Sequence, residues 1–262
     1  MPRGPAPPQS ITAGGWLRIA VRLAALALLL AACVPLYYLW RVIGRHNPWP
    51  SRFLAGVAAI AGVKLRITGE RVTGGEFLLA NHVSWIDVPV LAAAAGAAFV
   101  AHDGLAANPV LRWLCTMNDT VFIARHDRAT IQRQIEQVRG AIRHTGALAI
   151  FPEGTTSDGT GLLPFKSALL SALDPLPEGV AVQPVLLDYG KDAAEIAWTG
   201  TEPGAANFMR ILARHTPVDL RVRFLPPLSG AALANRKTIS AAAREAMLGE
   251  LEERRSAYRV AL

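Results

Sequence analysis

Within Asn81-His82-Val83-Ser84-Trp85-Ile86-Asp87 a histidine and an aspartate stand with four residues between them. An imidazole held by a carboxylate can take a proton from an alcohol. No serine or cysteine nucleophile is needed when the alcohol belongs to the substrate. The spacing also has a plainer explanation. Ser84-Trp85-Ile86-Asp87 matches a capping box, in which the acid serves only the start of a helix. A second run, Phe151-Pro152-Glu153-Gly154-Thr155-Thr156-Ser157, closes a short apolar stretch with a turn. Pro152 stops sheet pairing there, and Gly154 permits a tight bend. The backbone N–H groups and three hydroxyls of that turn suit an anion or a polar headgroup, although an ordinary turn has the same composition. Val121-Phe122-Ile123-Ala124-Arg125 ends in an arginine, which can bind phosphate through two parallel hydrogen bonds or simply remain solvated.

Elements that could position these residues follow from periodicity. Short apolar runs predict strands over 63–68, 76–79, 98–101, 121–124, 147–151, 180–187 and 218–224. Helical spacing predicts helices over 85–95, 109–117, 128–143, 166–173, 207–214 and 238–258. This alternation implies an α/β fold with a mixed sheet flanked by helices. His82 then follows a strand and precedes a helix, at the carboxyl end where sites gather in open α/β sheets. On one continuous helix, residues five apart would face different ways. The pair meets only if His82 lies in the loop and Asp87 in the first turn, with Ser84 as N-cap. Pro184 inside the 180–187 run implies an edge strand or a bulge.

The front of the chain has a different character. Residues 23–40 contain no charge, and the excess of apolar residues behind the overall hydrophobic content of 52% is not spread evenly. Tyr37, Tyr38 and Trp40 resemble an interfacial aromatic belt, and arginines flank both sides. Pro35 would kink a helix. Eighteen residues are at the short end of a spanning helix, so both a full span and a dip into one leaflet fit. A cleaved signal peptide and a lipoprotein site at Leu30-Ala31-Ala32-Cys33 are rivals, but apolar sequence continues past Cys33 to Trp40. Residues 51–62 also show helical spacing, with Ser51 as N-cap. They form either a packed helix or a second helix in the membrane interface. The expected organisation is a disordered tail over 1–15, a membrane anchor with an interfacial helix over 16–62, and one catalytic domain over 63–262.

Charge points the same way. No acidic residue precedes Glu70, while eight basic residues do, so the whole net charge of +7 lies in the front quarter. That suits an anionic membrane surface and argues against nucleic acid, which would call for a basic face on the folded body. Two cysteines, Cys33 and Cys115, form no disulfide framework and imply a reducing compartment.

Taken together and in order, these runs resemble the glycerophospholipid acyltransferase family, whose bacterial members include 1-acyl-sn-glycerol-3-phosphate acyltransferase. The family's Asn-His-x4-Asp block matches Asn81, His82 and Asp87. Its Gly-x-x-Phe-Ile-x-Arg block matches Phe122, Ile123 and Arg125. Its Phe-Pro-Glu-Gly-Thr block matches Phe151 to Thr155, and its late Pro-Val pair matches Pro184 and Val185. Pro164-Phe165-Lys166 also looks familial. Two positions depart: Asp119 stands where the second block has Gly, and His102 where many relatives have Lys. An acid at 119 would repel a phosphate headgroup unless it points away.

The resemblance implies transfer of a fatty acyl chain from a thioester, acyl-CoA or acyl carrier protein, to the free sn-2 hydroxyl of lysophosphatidic acid, giving phosphatidic acid. It implies His82 as general base, Asp87 as its partner, and Arg125, Glu153, Gly154 and Thr155 around the acceptor. It implies neither a metal nor a resident cofactor nor an acyl-enzyme. The implied location is the inner, cytoplasmic membrane with the catalytic domain on the cytoplasmic face. Alternatives are a lyso-ornithine lipid acyltransferase with the same base, a hydrolase using water, and a non-catalytic peripheral membrane protein.

Overall fold

The computed structural model describes residues 11–44, 47–102, 107–123, 131–200 and 202–260. Two helices come first, α1 (Ala13–Arg41) and α2 (Trp49–Ile60). The body follows as β1 (Val63–Thr68), β2 (Glu76–Ala80), α3 (Asp87–Ala95), β3 (Ala98–His102), α4 (Pro109–Met117), β4 (Val121–Ile123), α5 (Ile131–Thr145) and β5 (Ala147–Ile150). It ends with β6 (Ala181–Asp188), α6 (Ala193–Ile196), α7 (Gly204–Ala213), β7 (Val218–Phe224) and α8 (Arg236–Val260).

The seven strands form one mixed sheet in the order β1-β7-β6-β2-β5-β3-β4. Among the described strands only the β6–β7 pair is antiparallel. Side chains alternate across it as the pleat requires. Leu78, Ala80, Ala149 and Leu187 pack under α2 and α3, while Phe77, Leu79, Leu148 and Leu186 pack under α5 and α8. Every residue of β2 is buried, as expected of a strand covered on both faces. His82 therefore leaves the middle of the sheet, not an edge.

Most expected elements form within a few residues of their predicted limits, and the departures have local causes. The 166–173 stretch is a 3-10 turn over Ser167–Leu173, not an α-helix. The second helix starts at Trp49, so Ser51 lies inside it. Pro50 suits the first turn, and the Asn47 side chain takes the Trp49 N–H at 3.1 Å. The first helix begins at Ala13, capped by Thr12, so residues 13–15 belong to it and not to a disordered tail. The expected tail over 1–10 lies outside the described residues.

Pro184 sits on neither an edge nor a bulge, because β6 is central between β7 and β2. The reason is directional. A strand residue points its N–H and C=O toward the same neighbour, and the Pro184 carbonyl accepts from Leu225 N at 3.0 Å, on the β7 side. The β7 ladder has ended at Phe224, so the missing N–H costs no ladder bond to β2.

The first helix lies along the body. Arg18 Nε donates to the Ala213 carbonyl at 2.8 Å, and Arg22 donates to Ile211 and Leu212 at 3.2 and 3.0 Å. These arginines, expected to face a membrane surface, satisfy the orphan carbonyls at the end of α7. At the other end, Trp113 Nε1 of α4 donates to the Tyr38 hydroxyl at 3.3 Å. In between α1 packs on α2, where a Cβ on Gly56 would lie 2.6 Å from Leu29 Cδ2. The outward side exposes Leu17, Val21, Leu28 and Leu39.

Candidate active site

The loop between β2 and α3 places His82 and Asp87 in contact, with Nδ1 2.8 Å from Asp87 Oδ2. Asp87 is fully buried, whereas the His82 side chain is 20% exposed, enough for a reacting group to reach it. A carboxylate only accepts, so Nδ1 carries the shared proton and Nε2 keeps its lone pair. The ring stacks on Phe151, with centroids 4.1 Å apart and planes 15° from parallel.

The contact is achieved by a turn that differs from the expected cap. Asp87 is the first residue of α3, and its N–H closes a turn onto the Ser84 carbonyl at 3.1 Å. Its Oδ2 accepts the N–H groups of Val83 at 2.6 Å and Ser84 at 2.9 Å. The acid thus reaches back to both loop amides, as half of a capping box would. The Ser84 hydroxyl turns away to Asn207 at 3.4 Å instead of capping the helix. Capping and imidazole orientation are therefore one feature here, not competing explanations. On the other oxygen, the buried Tyr189 hydroxyl donates to Oδ1 at 2.5 Å.

Neighbouring segments hold the loop from outside. Asn81 pairs with Leu187 through its side chain, accepting from N at 2.7 Å and donating to O at 3.0 Å. The first motif position thereby continues the sheet pairing where the backbone leaves it. The His82 carbonyl accepts from Ser157 N at 2.7 Å and Ser157 Oγ at 3.0 Å, and Val83 O accepts from Trp198 N at 2.9 Å. Polar backbone groups of residues 82–84 are tied to separate segments, which fixes the imidazole by its main chain as well as its ring.

Glu153 departs most from its expected part. It is 1% exposed, with Oε1 accepting the His82 N–H at 2.9 Å and Oε2 the Leu163 N–H at 3.0 Å. Both oxygens are engaged inside the fold, so Glu153 braces the histidine loop rather than facing an acceptor headgroup. Burial pushes its carboxyl above the usual range; the two N–H donors and the nearby His82 oppose this, and Asp87 adds to it. Gly154 adopts φ +67°, the left-handed region that Gly enters without strain. The three hydroxyls of the turn also separate. Ser157 holds the His82 carbonyl and Thr156 donates to the Trp198 carbonyl, leaving Thr155 exposed. Lys166 Nζ stands 3.2 Å from where a Gly154 Cβ would be, which brings a cation to the same turn.

Arg125 lies outside the described residues, two positions past the end of β4. His102 closes β3, at the sheet edge from which His82 emerges. Asp119 precedes β4, at the opposite edge, and has φ +51°. Such a backbone suits a Gly, and Asp is among the few other residues that tolerate a left-handed conformation. Tyr189 escaped the sequence reading altogether. It lies 102 positions from Asp87, and a tyrosine after an apolar strand reads as core. Among the described residues, no group of three or more His, Cys, Asp or Glu could hold a metal.

Comparison with known proteins bears on the family and the fold. A family model described as Acyltransferase matches residues 64–188. The chain is 32% identical to a lyso-ornithine lipid O-acyltransferase of Rhodobacter capsulatus, over 95% of this chain and 96% of that one. It is 38% identical to the 1-acyl-sn-glycerol-3-phosphate acyltransferase of Neisseria meningitidis, but over 44% of each. The crystal structure of the 1-acyl-sn-glycerophosphate acyltransferase PlsC from Thermotoga maritima has the same fold, with a TM-score of 0.65 at 19% identity, covering 92% of this chain and 98% of that one. The chain belongs to the acyltransferase family, in the lysolipid O-acyltransferase branch that these relatives represent.

Proposed function

We propose that this protein transfers an acyl chain from a thioester, acyl-CoA or acyl carrier protein, to the free hydroxyl of a lysolipid, with lyso-ornithine lipid as the acceptor. The observation that carries the chemistry is the contact of a part-exposed His82 side chain with the buried Asp87 carboxylate. Nε2 takes the hydroxyl proton while the oxygen attacks the thioester carbonyl. Asp87 holds the imidazolium that forms. Collapse of the tetrahedral intermediate expels the thiolate, which recovers the proton from His82. The acceptor oxygen has then gained the acyl group, and the donor leaves as a free thiol. Thr155 and Lys166, with Arg125 from the second motif, are the groups for the polar headgroup; Gly154 gives that turn its shape.

The choice of acceptor rests on breadth of similarity. The lyso-ornithine relative matches along nearly the whole chain, whereas the Neisseria relative matches under half. Lysophosphatidic acid, expected from the motifs, is the second reading. Purified protein in detergent, given acyl-CoA or acyl carrier protein with each acceptor in parallel, distinguishes them by product. Preferential acylation of lysophosphatidic acid would reverse the assignment. In the same assay His82→Ala should lose on the order of 10²–10⁴-fold in rate. Near-normal turnover of that variant would remove His82 as the base.

The body sits on the cytoplasmic membrane, at its inner face, through the outer side of α1. That helix is long and apolar enough to cross a bilayer. Yet the body holds it at Arg18 and Arg22 and again at Tyr38. Those points are roughly 30 Å apart along the helix. A crossing helix would have to break one set of contacts, so α1 lies in one leaflet with both ends on the same side.

A further inference from the structure

We propose that Tyr189 is a positioning residue for the acyl transfer, its phenol holding the Asp87 carboxylate on the side away from His82 and thereby fixing how the imidazole meets the acceptor hydroxyl. The proposal rests on His82 being the general base. Its grounds are geometric. Asp87 Oδ2 is shared by His82 Nδ1 and two loop amides, whereas Oδ1 accepts from the Tyr189 hydroxyl, at 2.5 Å. Asp87 is fully buried and Tyr189 is 3% exposed, so water does not readily replace the phenol. Tyr189 follows β6 directly, and Asn81 ties that same strand to the histidine loop at Leu187. The strand thus fixes both ends of the unit: the loop through Leu187 and the carboxylate through Tyr189.

Removing the hydroxyl should act on the imidazole through Asp87. The phenol O–H draws charge from the carboxylate. Without it the imidazolium is held more strongly, and the neutral base is lost at a higher pH. The groups that face the carboxylate are His82 from its own loop, Glu153 from the 152–157 turn, and Tyr189 itself. Lys166 lies beyond Glu153, against Gly154. Asp188 and Asp192, on either side of Tyr189, are paired with Arg254 and Arg214. The phenol stays protonated throughout, since burial first and Asp87 second push its ionisation well above the ordinary value.

The test is Tyr189→Phe, which keeps the ring and removes one oxygen, assayed in the purified full-length protein with acyl-CoA and each lysolipid. The expected result is about a tenfold loss in kcat, with acceptor KM within about twofold, and an acid limb of the kcat–pH profile moved up by about half to one unit. An unchanged kcat and profile would overturn the proposal, as would a kcat loss with an unmoved limb, which marks a merely structural residue. Should the Phe variant fail to fold, 3-fluorotyrosine at 189 keeps the hydroxyl and strengthens its donation. The acid limb should then move down, and an unmoved limb overturns the proposal. Glu153→Gln in parallel identifies any part of the limb due to that carboxyl. His82→Ala separates the two levels. If it retains activity, the base assignment fails. If it is inactive while Tyr189→Phe behaves as wild type, only the Tyr189 proposal fails.

Discussion

Four donors on one buried carboxylate give the His82–Asp87 pair its fixed geometry, and the remaining residues matter by how they protect it. At this scale Asp119 is informative because it sits far from the chemistry. Its φ of +51° is a backbone requirement. Replacing it with Val, whose branched side chain fits that conformation badly, should destabilise the protein by about 1–2 kcal/mol. Asp119→Gly should stay within about 1 kcal/mol of wild type. Urea midpoints of the two variants check the order, and both should keep the acceptor KM of wild type. A raised KM in Asp119→Gly would return this residue to the headgroup site.

The element that decides the site is the turn over 152–157. Glu153 offers two acceptor oxygens to two backbone N–H groups, and Gln can offer only one. Glu153→Gln therefore leaves one buried donor unmet, at a cost of about 1–3 kcal/mol. It should lower kcat through a loosened His82 loop while leaving the acceptor KM unchanged. Steady-state kinetics with varied lysolipid separate this from a headgroup role, which would raise KM. The raised carboxyl of Glu153 also gives a pH signature. A group whose proton affinity is higher in the folded state contributes stability below its unfolded value, about 4.3, and loses that contribution as pH rises through the folded one. The stability advantage of wild type over Glu153→Gln should accordingly shrink as pH rises across that window, as thermal melts at stepped pH would show.

For the whole molecule the question is how the sheet meets the bilayer. The anchor and the body form a single packed object, because α1 is bound by α7 near its start and by α4 near its end. The reading of α1 in one leaflet predicts that cysteines placed at Gly14 and Gly44, with Cys33 and Cys115 replaced, react with a membrane-impermeant maleimide from the same face of sealed vesicles. Labelling from opposite faces would establish a crossing helix. Substituting Leu28 or Leu39 on the exposed side with Asp should weaken flotation with anionic vesicles and leave the fold intact, since neither side chain is buried. Loss of the fold instead would show that this side faces protein.

The sequence by itself determined the seven strands, the mixed α/β class, the apolar front and the pairing of His82 with Asp87. Alternation, helical spacing and turn chemistry are local, and motif order carries the rest. Only the tertiary structure decided the partners of those residues. Glu153 turned inward, Pro184 proved central, Asp119 fell at the far edge of the sheet, and Tyr189 joined Asp87 from 102 positions away. Local pattern specifies which face of an element is apolar. It does not specify which buried donor meets which acceptor, because that depends on strand order and register, and these are set by packing among segments far apart in the chain.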